Sequence, residues 1–432
     1  MSDLSYVRTE MLDDREPPPG ETGVIRWLRD KMFSSILNAV LTVVALTLIF
    51  YLLAAVVPWM LLSSWTATSL SGCREAIALN FGEGTSGACW SVITERYNQL
   101  LFGFYPRELY WRPILAFAFL GVAIAPVLFD KLPRKMLMFS AIFPFLAFWL
   151  VWGGSIWLPI SVMLGFVIGY YASALLPAII GSLGATIAAM ILPVLWWLLA
   201  AGGGADLING LIPIEIEAID SDQLGGFLLS VLIGITGISL SLPIGIFLAL
   251  GRQSNLFVVK TICVGFIEFI RGVPLITLLF VASTLLNYFM PPGTSFDLVL
   301  RVMIMVTLFA SAYMAEVIRG GLAALEKGQY EAAAALGLDF WKSTRLIIMP
   351  QALKISIPNI VSNFIGLFKD TTLVSIIGLL DPIGLSTAIR ANQEWNGIVW
   401  ELYAFVALLF WIVCFSMSRY SMYLERKLRT GH

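Results

Sequence analysis

Polar and charged side chains stand inside an otherwise apolar helical stretch near the carboxyl end of this chain. They are Lys369, Asp370, Thr371 and Thr372, and Asn363 lies earlier on the same predicted helix. A break in a membrane helix is tolerated where it lines protein or a water-filled cavity, and its free ends can hold charged groups. The group is suited to bind a small zwitterion in a membrane pathway. Alternatively, Lys369 and Asp370 neutralise each other and stabilise the break.

A second pair of charges stands in the seventh apolar stretch. Glu268 and Arg271 are three residues apart, so their side chains could meet on one helix face. They could line a pathway, but the sequence favours a structural pair near the cytoplasmic interface, with Pro274 kinking the helix behind it. Glu316 and Arg319 are also three residues apart and could pair, which would hold the end of the eighth apolar stretch where the chain leaves the membrane.

Between two apolar stretches near the carboxyl end lies a polar segment rich in small residues. Glu331, Ala332 and Ala333 start a short predicted helix, whose alanines let a partner's surface approach the backbone. Gly337 stands where that helix needs a left-handed residue after its end. Pro350 fits the first turn of a new helix. We predict a docking helix, a turn and a return into the membrane; the alternative is an ordinary amphipathic connector.

The same segment carries a family resemblance. It resembles the cytoplasmic EAA loop of permease subunits from ABC-type importers, with the spacing E-A-A, three residues, G, nine residues, I, one residue, L-P, where Met349 replaces the leucine. The stretches IEFIRGVPL, residues 267–275, and FKDTTLVSIIG, residues 368–378, resemble the amino-acid branch of that family. The likeness extends from about Asp222 onwards. The N-terminal extension is similar to that of permeases for glutamate, glutamine, aspartate and asparagine, or for L-amino acids in general.

The resemblance implies a fold, partners and a mechanism. The fold would be all-α, a polytopic helical membrane protein with a type I ABC importer permease core after an extra helical membrane region, in the bacterial inner membrane. Partners would be ABC ATPase subunits, a second identical or homologous permease subunit, an extracytoplasmic solute-binding protein and an amino-acid substrate. Transport would proceed by alternating access. The chain would need no cofactor and would not be an enzyme, since ATP is hydrolysed on a partner. The coupling residues would be Glu331, Ala332, Ala333, Gly337 and Pro350.

Composition supports a membrane protein independently. Apolar residues make up 59% of the chain and charged residues 13%, and stretches of about 20 apolar residues can each cross a hydrocarbon core of roughly 30 Å. The alternation of a β-barrel is not present. A net charge of −1 gives no basis for binding nucleic acid. The single histidine is the last residue, which disfavours histidine catalysis and histidine-bound metals, and no phosphate-binding G-x-x-x-x-G-K-[ST] motif occurs.

Hydropathy predicts ten spans. They are Ser35–Val57, Pro113–Phe129, Met136–Trp152, Trp157–Leu176, Ser182–Ala201, Leu224–Leu250, Ile262–Phe289, Leu298–Arg319, Ala352–Leu379 and Ile398–Arg419. Lysine and arginine concentrate on one set of loops, and residues 202–223 on the other side hold acidic but no basic residues. The positive-inside rule therefore predicts that both termini face the cytoplasm.

These spans suggest three regions. The first is a flexible cytoplasmic tail over residues 1–34. The second is a transmembrane extension over residues 35–221, with an external loop over residues 63–111. The third is a permease core over residues 222–432, with a cytoplasmic coupling loop over residues 320–350.

Cysteines and glycines add two local expectations. Cys73 and Cys89 share the predicted external loop, where a disulfide would contribute roughly 3 kcal/mol; two free thiols are the alternative. Cys263 and Cys414 lie in spans and are expected to serve in packing. Gly165 and Gly169 indicate close helix packing.

Two rival functions remain open to the sequence. One is an ion-coupled secondary transporter or channel that works without an ATPase; it predicts carboxylates near mid-membrane in symmetric halves, and no strong internal repeat is found. The other is a structural membrane scaffold, which predicts no solute transport. Whether uptake into vesicles follows ATP or an ion gradient separates the importer from the secondary transporter.

Overall fold

This computed structural model describes residues 23–285, Tyr288 and residues 297–428. Within that part of the chain, contacts divide the molecule into two compact units, and the division falls between Ser91 and Val92. The predicted boundary near residue 222 lies inside the second unit. The division into an extension and a permease core stays a prediction.

The chain is built almost entirely of helices. In chain order the α-helices are α1 (Gly23–Lys31), α2 (Ile36–Leu61), α3 (Leu70–Phe81), α4 (Ser91–Phe102), α5 (Trp111–Leu128), α6 (Leu137–Trp152), α7 (Trp157–Leu175), α8 (Pro177–Leu195), α9 (Ala201–Leu211), α10 (Gly226–Gln253), α11 (Phe257–Gly272), α12 (Leu275–Phe280), α13 (Leu298–Ala323), α14 (Lys327–Ala335), α15 (Phe340–Ser343), α16 (Met349–Asp370), α17 (Pro382–Ala391) and α18 (Trp400–Leu428). Short 3₁₀ helices span Arg107–Leu109, Arg134–Met136, Thr371–Ile377 and Gln393–Trp395. Five-residue π-helical turns span Trp196–Ala200, Val281–Leu285 and Thr344–Ile348. Two strands, β1 (Gly154–Ser155) and β2 (Glu215–Ile216), pair antiparallel.

The start of the described chain differs from the predicted flexible tail. Residues 23–31 form the helix α1, because apolar side chains such as Val24, Trp27 and Leu28 recur at helical spacing. The Arg26 guanidinium lies 3.2 Å from the Asp30 carboxylate one turn later. The earlier part of the predicted tail lies outside the described residues.

The first unit joins a long apolar helix to a disulfide-linked segment. The hydroxyl of Ser35 accepts the backbone N–H of Asn38 at 3.2 Å and caps the start of α2. With 26 residues, α2 extends about 39 Å, enough to cross a bilayer core. Cys73 and Cys89 are disulfide-bonded, with their Cα atoms 5.9 Å apart.

Nine helices among the described residues are long and apolar enough to cross a membrane, or ten when one bent pair counts as a single span. Each predicted span has a counterpart, but Ile262–Phe289 is not one straight helix. Between helix α11 and the stretch Leu275–Leu285 the chain bends by 103°. Pro274 causes the bend, because it disfavours helical angles in Val273 and cannot donate a backbone hydrogen bond. The last part of that predicted span lies largely outside the described residues.

Helices α7 and α8 pack closely, as Gly165 and Gly169 predicted. A Cβ atom on Gly165 would overlap the indole ring of Trp197, in the π turn after α8, and one on Gly169 would lie 2.9 Å from Cγ of Pro193, within α8. The indole N–H of Trp197 donates to the carbonyl of Val162 at 2.9 Å. Small residues thus let the two backbones approach.

Helices α10, α13 and α16 form the centre of the second unit. Buried apolar side chains from all three belong to two clusters, which include Leu229, Val306 and Leu367 in one, and Ala249, Met314 and Ala352 in the other. A Cβ atom on Gly321 would lie 2.5 Å from the carbonyl oxygen of Ala352. The contact between α13 and α16 therefore requires glycine at this position.

Thiol reagents should reach Cys73 and Cys89 only after reduction, because the two sulfur atoms are bonded to each other and both residues are buried. The measurement uses the full chain carrying Cys263→Ala and Cys414→Ala, so that only the bonded pair can react. Separating the pair with Cys89→Ser should lower the stability of the first unit by roughly 3 kcal/mol. Ready labelling in native membranes without reductant would contradict the disulfide.

Candidate functional site

The predicted docking segment forms a helix followed by a tight turn. Helix α14 ends in a Schellman motif, in which the N–H of Leu338 donates to the carbonyl of Ala333 at 3.2 Å. The N–H of Gly337 donates to the carbonyl of Ala334 at 2.9 Å. Gly337 has a φ of +68°, the left-handed conformation that the sequence predicted and that other residues adopt only with strain.

The helices of this segment begin earlier than predicted. Helix α14 starts at Lys327 and not at Glu331, since Glu326 is the last residue with extended backbone angles. The next helical stretch starts at Phe340, where the carboxylate of Asp339 accepts the backbone N–H of Lys342 at 2.8 Å. That hydrogen bond lowers the pKa of Asp339, because it stabilises the ionised carboxylate.

Pro350 lies in the first turn of α16, but that helix does not emerge from a loop. Helical backbone continues from α15 through the π turn Thr344–Ile348 into α16. Proline cannot donate the usual hydrogen bond and its ring crowds the preceding turn, and a π turn provides the extra room. One helical stretch of 38 residues, Phe340–Ile377, therefore passes from the docking segment into the membrane.

The docking helix, which is α14, and the turn after it expose small and apolar residues. Glu331 and Ala332 are exposed, whereas Ala333 is buried. Beyond the turn, Leu336 is 73% exposed and Trp341 is 65% exposed. Large apolar side chains at this exposure, next to alanines that present little more than backbone, form a surface suited to a protein partner.

Two contacts hold the docking helix to the membrane helices. The side-chain amide of Gln351, on α16, donates to the side-chain oxygen of Gln329 at 3.0 Å. The hydroxyl of Tyr330 lies 3.5 Å from the carbonyl oxygen of Leu322, on α13. A displacement of the docking helix would therefore act on both α13 and α16.

Five charged side chains from α10, α11 and α13 form one network, which consists of Arg252, Glu268, Arg271, Glu316 and Arg319. Glu316 is its centre. Its Oε1 atom accepts Nε of Arg319 at 2.9 Å, which confirms that pairing. Its Oε2 atom lies 3.4 Å from Nη1 of Arg271 and 3.5 Å from Nη1 of Arg252.

Glu268 and Arg271 do not pair with each other as the sequence suggested. Oε1 of Glu268 lies 2.8 Å from Nη1 of Arg252 on the neighbouring helix, while Arg271 reaches Glu316. A pair three residues apart on one helix is worth only a few tenths of a kcal/mol. The carboxylate of Glu316 is 25% exposed against 54% for Glu268, so its attraction for an arginine is screened less by water.

A cavity of about 290 Å³ lies among α10, α13 and α16. Its polar lining residues are Ser241, Tyr313, Ser362, Asn363 and Asp370. Phe309 and Phe364 contribute aromatic walls. Apolar walls with a few convergent polar groups are the usual make-up of a site for a small molecule.

Only some of the predicted pathway residues line this cavity. Asn363 and Asp370 line it, whereas Lys369, Thr371 and Thr372 are not among its lining residues. The hydroxyl of Thr371 is buried and donates to a backbone carbonyl of its own helix at 2.8 Å. Lys369 is exposed, and no ion pair joins it to Asp370 in the described chain. The helix does not end at these residues; it tightens into a 3₁₀ helix that ends before Gly378, whose φ is +90°.

Tyr313 and Ser241 also line the cavity and were not predicted from the sequence. Each is one of several hydroxyl residues in its apolar span, so the sequence did not single it out. The Tyr313 ring also links the cavity to the charge network, because the guanidinium carbon of Arg271 lies 5.7 Å from its centroid.

A buried acid outside the spans was also missed. Asp381 is fully buried and caps the start of α17, where its carboxylate accepts the backbone N–H of Gly384 at 2.9 Å and that of Ile383 at 3.3 Å. Burial nevertheless raises the pKa of Asp381 to about 6. An aspartate directly before Pro382 was the sequence signal for this cap.

Membrane-crossing helices that enclose a polar cavity, with an exposed helix between two spans, define a membrane permease. The sequence profile of the family "Binding-protein-dependent transport system inner membrane component" matches residues 241–430. The chain is 57% identical over 437 residues to the glutamate/glutamine/aspartate/asparagine transport system permease protein BztC of Rhodobacter capsulatus, with 100% of each protein covered. It belongs to this family of ABC transporter permeases and is a multi-pass membrane protein.

A second relative also matches over its full length. The inner membrane amino-acid ABC transporter permease protein YhdY of Escherichia coli is 38% identical over 430 residues, covering 98% of this chain and 99% of that protein. Among solved structures, a crystal structure of an amino acid ABC transporter with histidines is 28% identical, covers 46% of this chain and 91% of that chain, and has a TM-score of 0.42. The two full-length matches include the N-terminal region that the family profile leaves out.

Glu316→Gln should lower the free energy of unfolding by roughly 1–3 kcal/mol, because three arginines lose the carboxylate that they share. Glu268→Gln is the matched control and should cost less, since Glu268 contacts one arginine and is 54% exposed. Thermal unfolding of the purified full chain measures both changes. Equal shifts for the two variants would contradict the central role of Glu316.

Proposed function

We propose that this chain forms the translocation pathway of an ATP-driven amino-acid uptake system, by alternating access. Glutamate, glutamine, aspartate and asparagine are the proposed substrates, or a broader set of L-amino acids. The observation that carries the proposal is the full-length similarity to the transport permease of Rhodobacter capsulatus, at 57% identity. The transmembrane extension would occupy residues 35–221, and the permease core residues 222–432.

The proposed partners follow from what this chain has and lacks. It carries an exposed docking helix but no phosphate-binding loop of the kind that ATPases use. We infer that ABC ATPase subunits dock there and hydrolyse ATP, while a second permease subunit and an extracytoplasmic binding protein complete the system. Both termini and the docking helix would face the cytoplasm of the bacterial inner membrane, supported by basic residues in the loops on that side.

The coupling route runs along one helical stretch. In our proposal Glu331, Ala332, Ala333, Gly337 and Pro350 shape the surface that the ATPase grips. The Gln329–Gln351 hydrogen bond ties that surface to α16, which carries Asn363 and Asp370 to the cavity. Movement of the docking helix would thus reach the cavity without an intervening loop.

Within the cavity, the polar groups would bind the amino acid. Asp370 is suited to the α-ammonium group, and the Asn363 amide to a carboxylate or side-chain amide. Lys369, Thr371 and Thr372 would shape the helix next to the site. Glu268 and Arg271 would act from the charge network, through the contact of Arg271 with Tyr313.

Asp370→Asn should reduce amino-acid uptake by about tenfold or more, because the site loses the charge proposed to bind the ammonium group. Lys369→Gln is the control: it also removes one charge, from the neighbouring residue, but that residue does not line the cavity. Initial uptake rates over a range of substrate concentrations, in vesicles holding the complete transporter, compare the two. An equal loss in both would count against Asp370 as a cavity ligand.

Gly337→Asp should uncouple ATP hydrolysis from transport while the protein still inserts, because a charged side chain enters the docking surface and the left-handed turn is strained. Gly84→Asp is the matched control, since Gly84 has a φ of +81° and equally open surroundings in the first unit. ATPase and uptake rates of the same vesicles give the coupling ratio. Normal transport by Gly337→Asp would argue against the docking role.

The energy source separates the proposal from its rival. Vesicles holding the complete transporter should take up labelled glutamate, glutamine, aspartate or asparagine with ATP present in the lumen, and should not do so with an imposed ion gradient alone. Uptake driven by the gradient without ATP would favour an ion-coupled transporter and refute the importer. No uptake of any amino acid under either condition would favour a scaffold.

A further inference from the structure

We propose that the carboxyl-terminal end of α18 binds the headgroup of an anionic glycerophospholipid. The site is a shallow cavity of about 470 Å³, lined by Arg419, Tyr423, Arg426 and Lys427. These residues are spaced at i, i+4, i+7 and i+8, so they share one helix face. Three basic side chains around a tyrosine hydroxyl offer the donors that phosphate oxygens require.

The charges at this site are only partly neutralised by protein. Nζ of Lys427 lies 2.7 Å from the carboxylate of Asp130 and 5.9 Å from the ring of Tyr423. Nε of Arg426 donates to a backbone carbonyl one turn earlier at 3.3 Å. No ion pair within 4.0 Å engages Arg419 or Arg426 among residues 23–285 and 297–428. The two arginines therefore leave net positive charge for a ligand.

The depth of the site matches the headgroup layer. Helix α18 starts at Trp400 and has 29 residues, whereas about 20 residues suffice to cross the hydrocarbon core. A span that begins at Trp400 thus leaves the core near Arg419. The remaining turns, which carry Tyr423, Arg426 and Lys427, lie in the polar region of the bilayer.

An apolar stripe leads directly to the basic residues, and this favours a lipid over a soluble phosphate. Leu408, Trp411, Ile412 and Phe415 lie on the same helix face, one to three turns before Arg419, and are each about half exposed. The rings of Trp411 and Phe415 stack with centroids 4.9 Å apart. Acyl chains can lie along this stripe while the phosphate contacts the basic cluster.

The neighbouring segment fixes the site and adds charge. The hydroxyl of Tyr420 donates to the carbonyl of Leu128 at 2.6 Å, and its ring meets that of Phe129 edge to face. The segment that follows Phe129 carries further basic residues, which are Lys131, Arg134 and Lys135. Juxtamembrane clusters of this size attract anionic lipid, with each basic residue adding to the binding.

The test measures binding of a fluorescent phosphatidylglycerol to the full chain in non-ionic detergent micelles. The triple variant Arg419→Gln, Arg426→Gln, Lys427→Gln should weaken binding by about tenfold or more. The matched triple Arg26→Gln, Arg29→Gln, Lys31→Gln removes the same charge from α1 and should leave binding unchanged. Equal weakening in both triples would show a general charge effect and overturn the proposal.

Two further experiments distinguish a lipid headgroup from a soluble phosphate as the ligand. Trp411→Ala with Phe415→Ala should also weaken phosphatidylglycerol binding, whereas phosphatidylcholine with the same acyl chains should bind poorly to the unaltered chain. Glycerol 3-phosphate should not displace the lipid at comparable concentration. Displacement would indicate a site for a soluble phosphate and would overturn the proposal of a lipid site.

Arg419→Lys with Arg426→Lys should retain binding, because the positive charge at both positions is kept; loss of binding in this variant would contradict a charge-based site. Light scattering reports the number of chains per micelle. If the glutamine triple altered that number and not lipid binding, the face would be an interface between copies of this chain, and the proposal would fail.

Discussion

Helical backbone that continues past Pro350 is the constraint on which the proposed coupling route depends. The ring of Pro350 crowds the turn that precedes it, and proline donates no backbone hydrogen bond to that turn. The π turn Thr344–Ile348 lies directly before α16 and relieves this crowding, and the backbone stays helical from Phe340 to the cavity. A loop at this position would absorb any displacement of the docking helix. In the proposed mechanism, the Gln329–Gln351 hydrogen bond would pass a displacement of the docking helix to the continuous stretch, which would carry it to Asn363 and Asp370.

The second constraint is the cost of charge near the membrane. Three arginines and Glu268 gather around Glu316, and each carboxylate oxygen of Glu316 has a cationic partner within 3.5 Å. Two buried arginines in the second unit follow the same rule with backbone oxygens: Arg112 donates to the carbonyl of Glu217 at 2.6 Å, and Arg301 to those of Ala282 and Ser283 at 3.1 and 3.0 Å. These contacts offset part of the cost of removing the charges from water.

Local backbone requirements were predictable from the sequence, whereas the side chains that contact each other across different helices were not. Gly337 and Gly165 were identified correctly because a left-handed turn and a close helix contact each exclude side chains, and that exclusion is a property of one position. The pairing of Glu268 with Arg271 was predicted from helical spacing and is wrong, because Arg252 lies on a neighbouring helix that the spacing cannot show. For the same reason Asn363 and Asp370 were found as candidate cavity residues, but Tyr313 and Ser241, on other helices, were not.

The presence or absence of an ion pair also distinguishes charged side chains with a structural role from those available to bind a ligand. Asp370 lies beside Lys369 in sequence, yet successive residues on a helix point about 100° apart, so adjacency does not neutralise them. Asp370 remains half-buried in a cavity without an ion pair in the described chain. Arg419 and Arg426 are similarly without ion-pair partners, but lie where a span leaves the bilayer core. A desolvated charge is costly unless something compensates it, so the half-buried Asp370 is where an ammonium group would gain most. Arg419 and Arg426 are exposed, and their unpaired positive charge would attract a phosphate group.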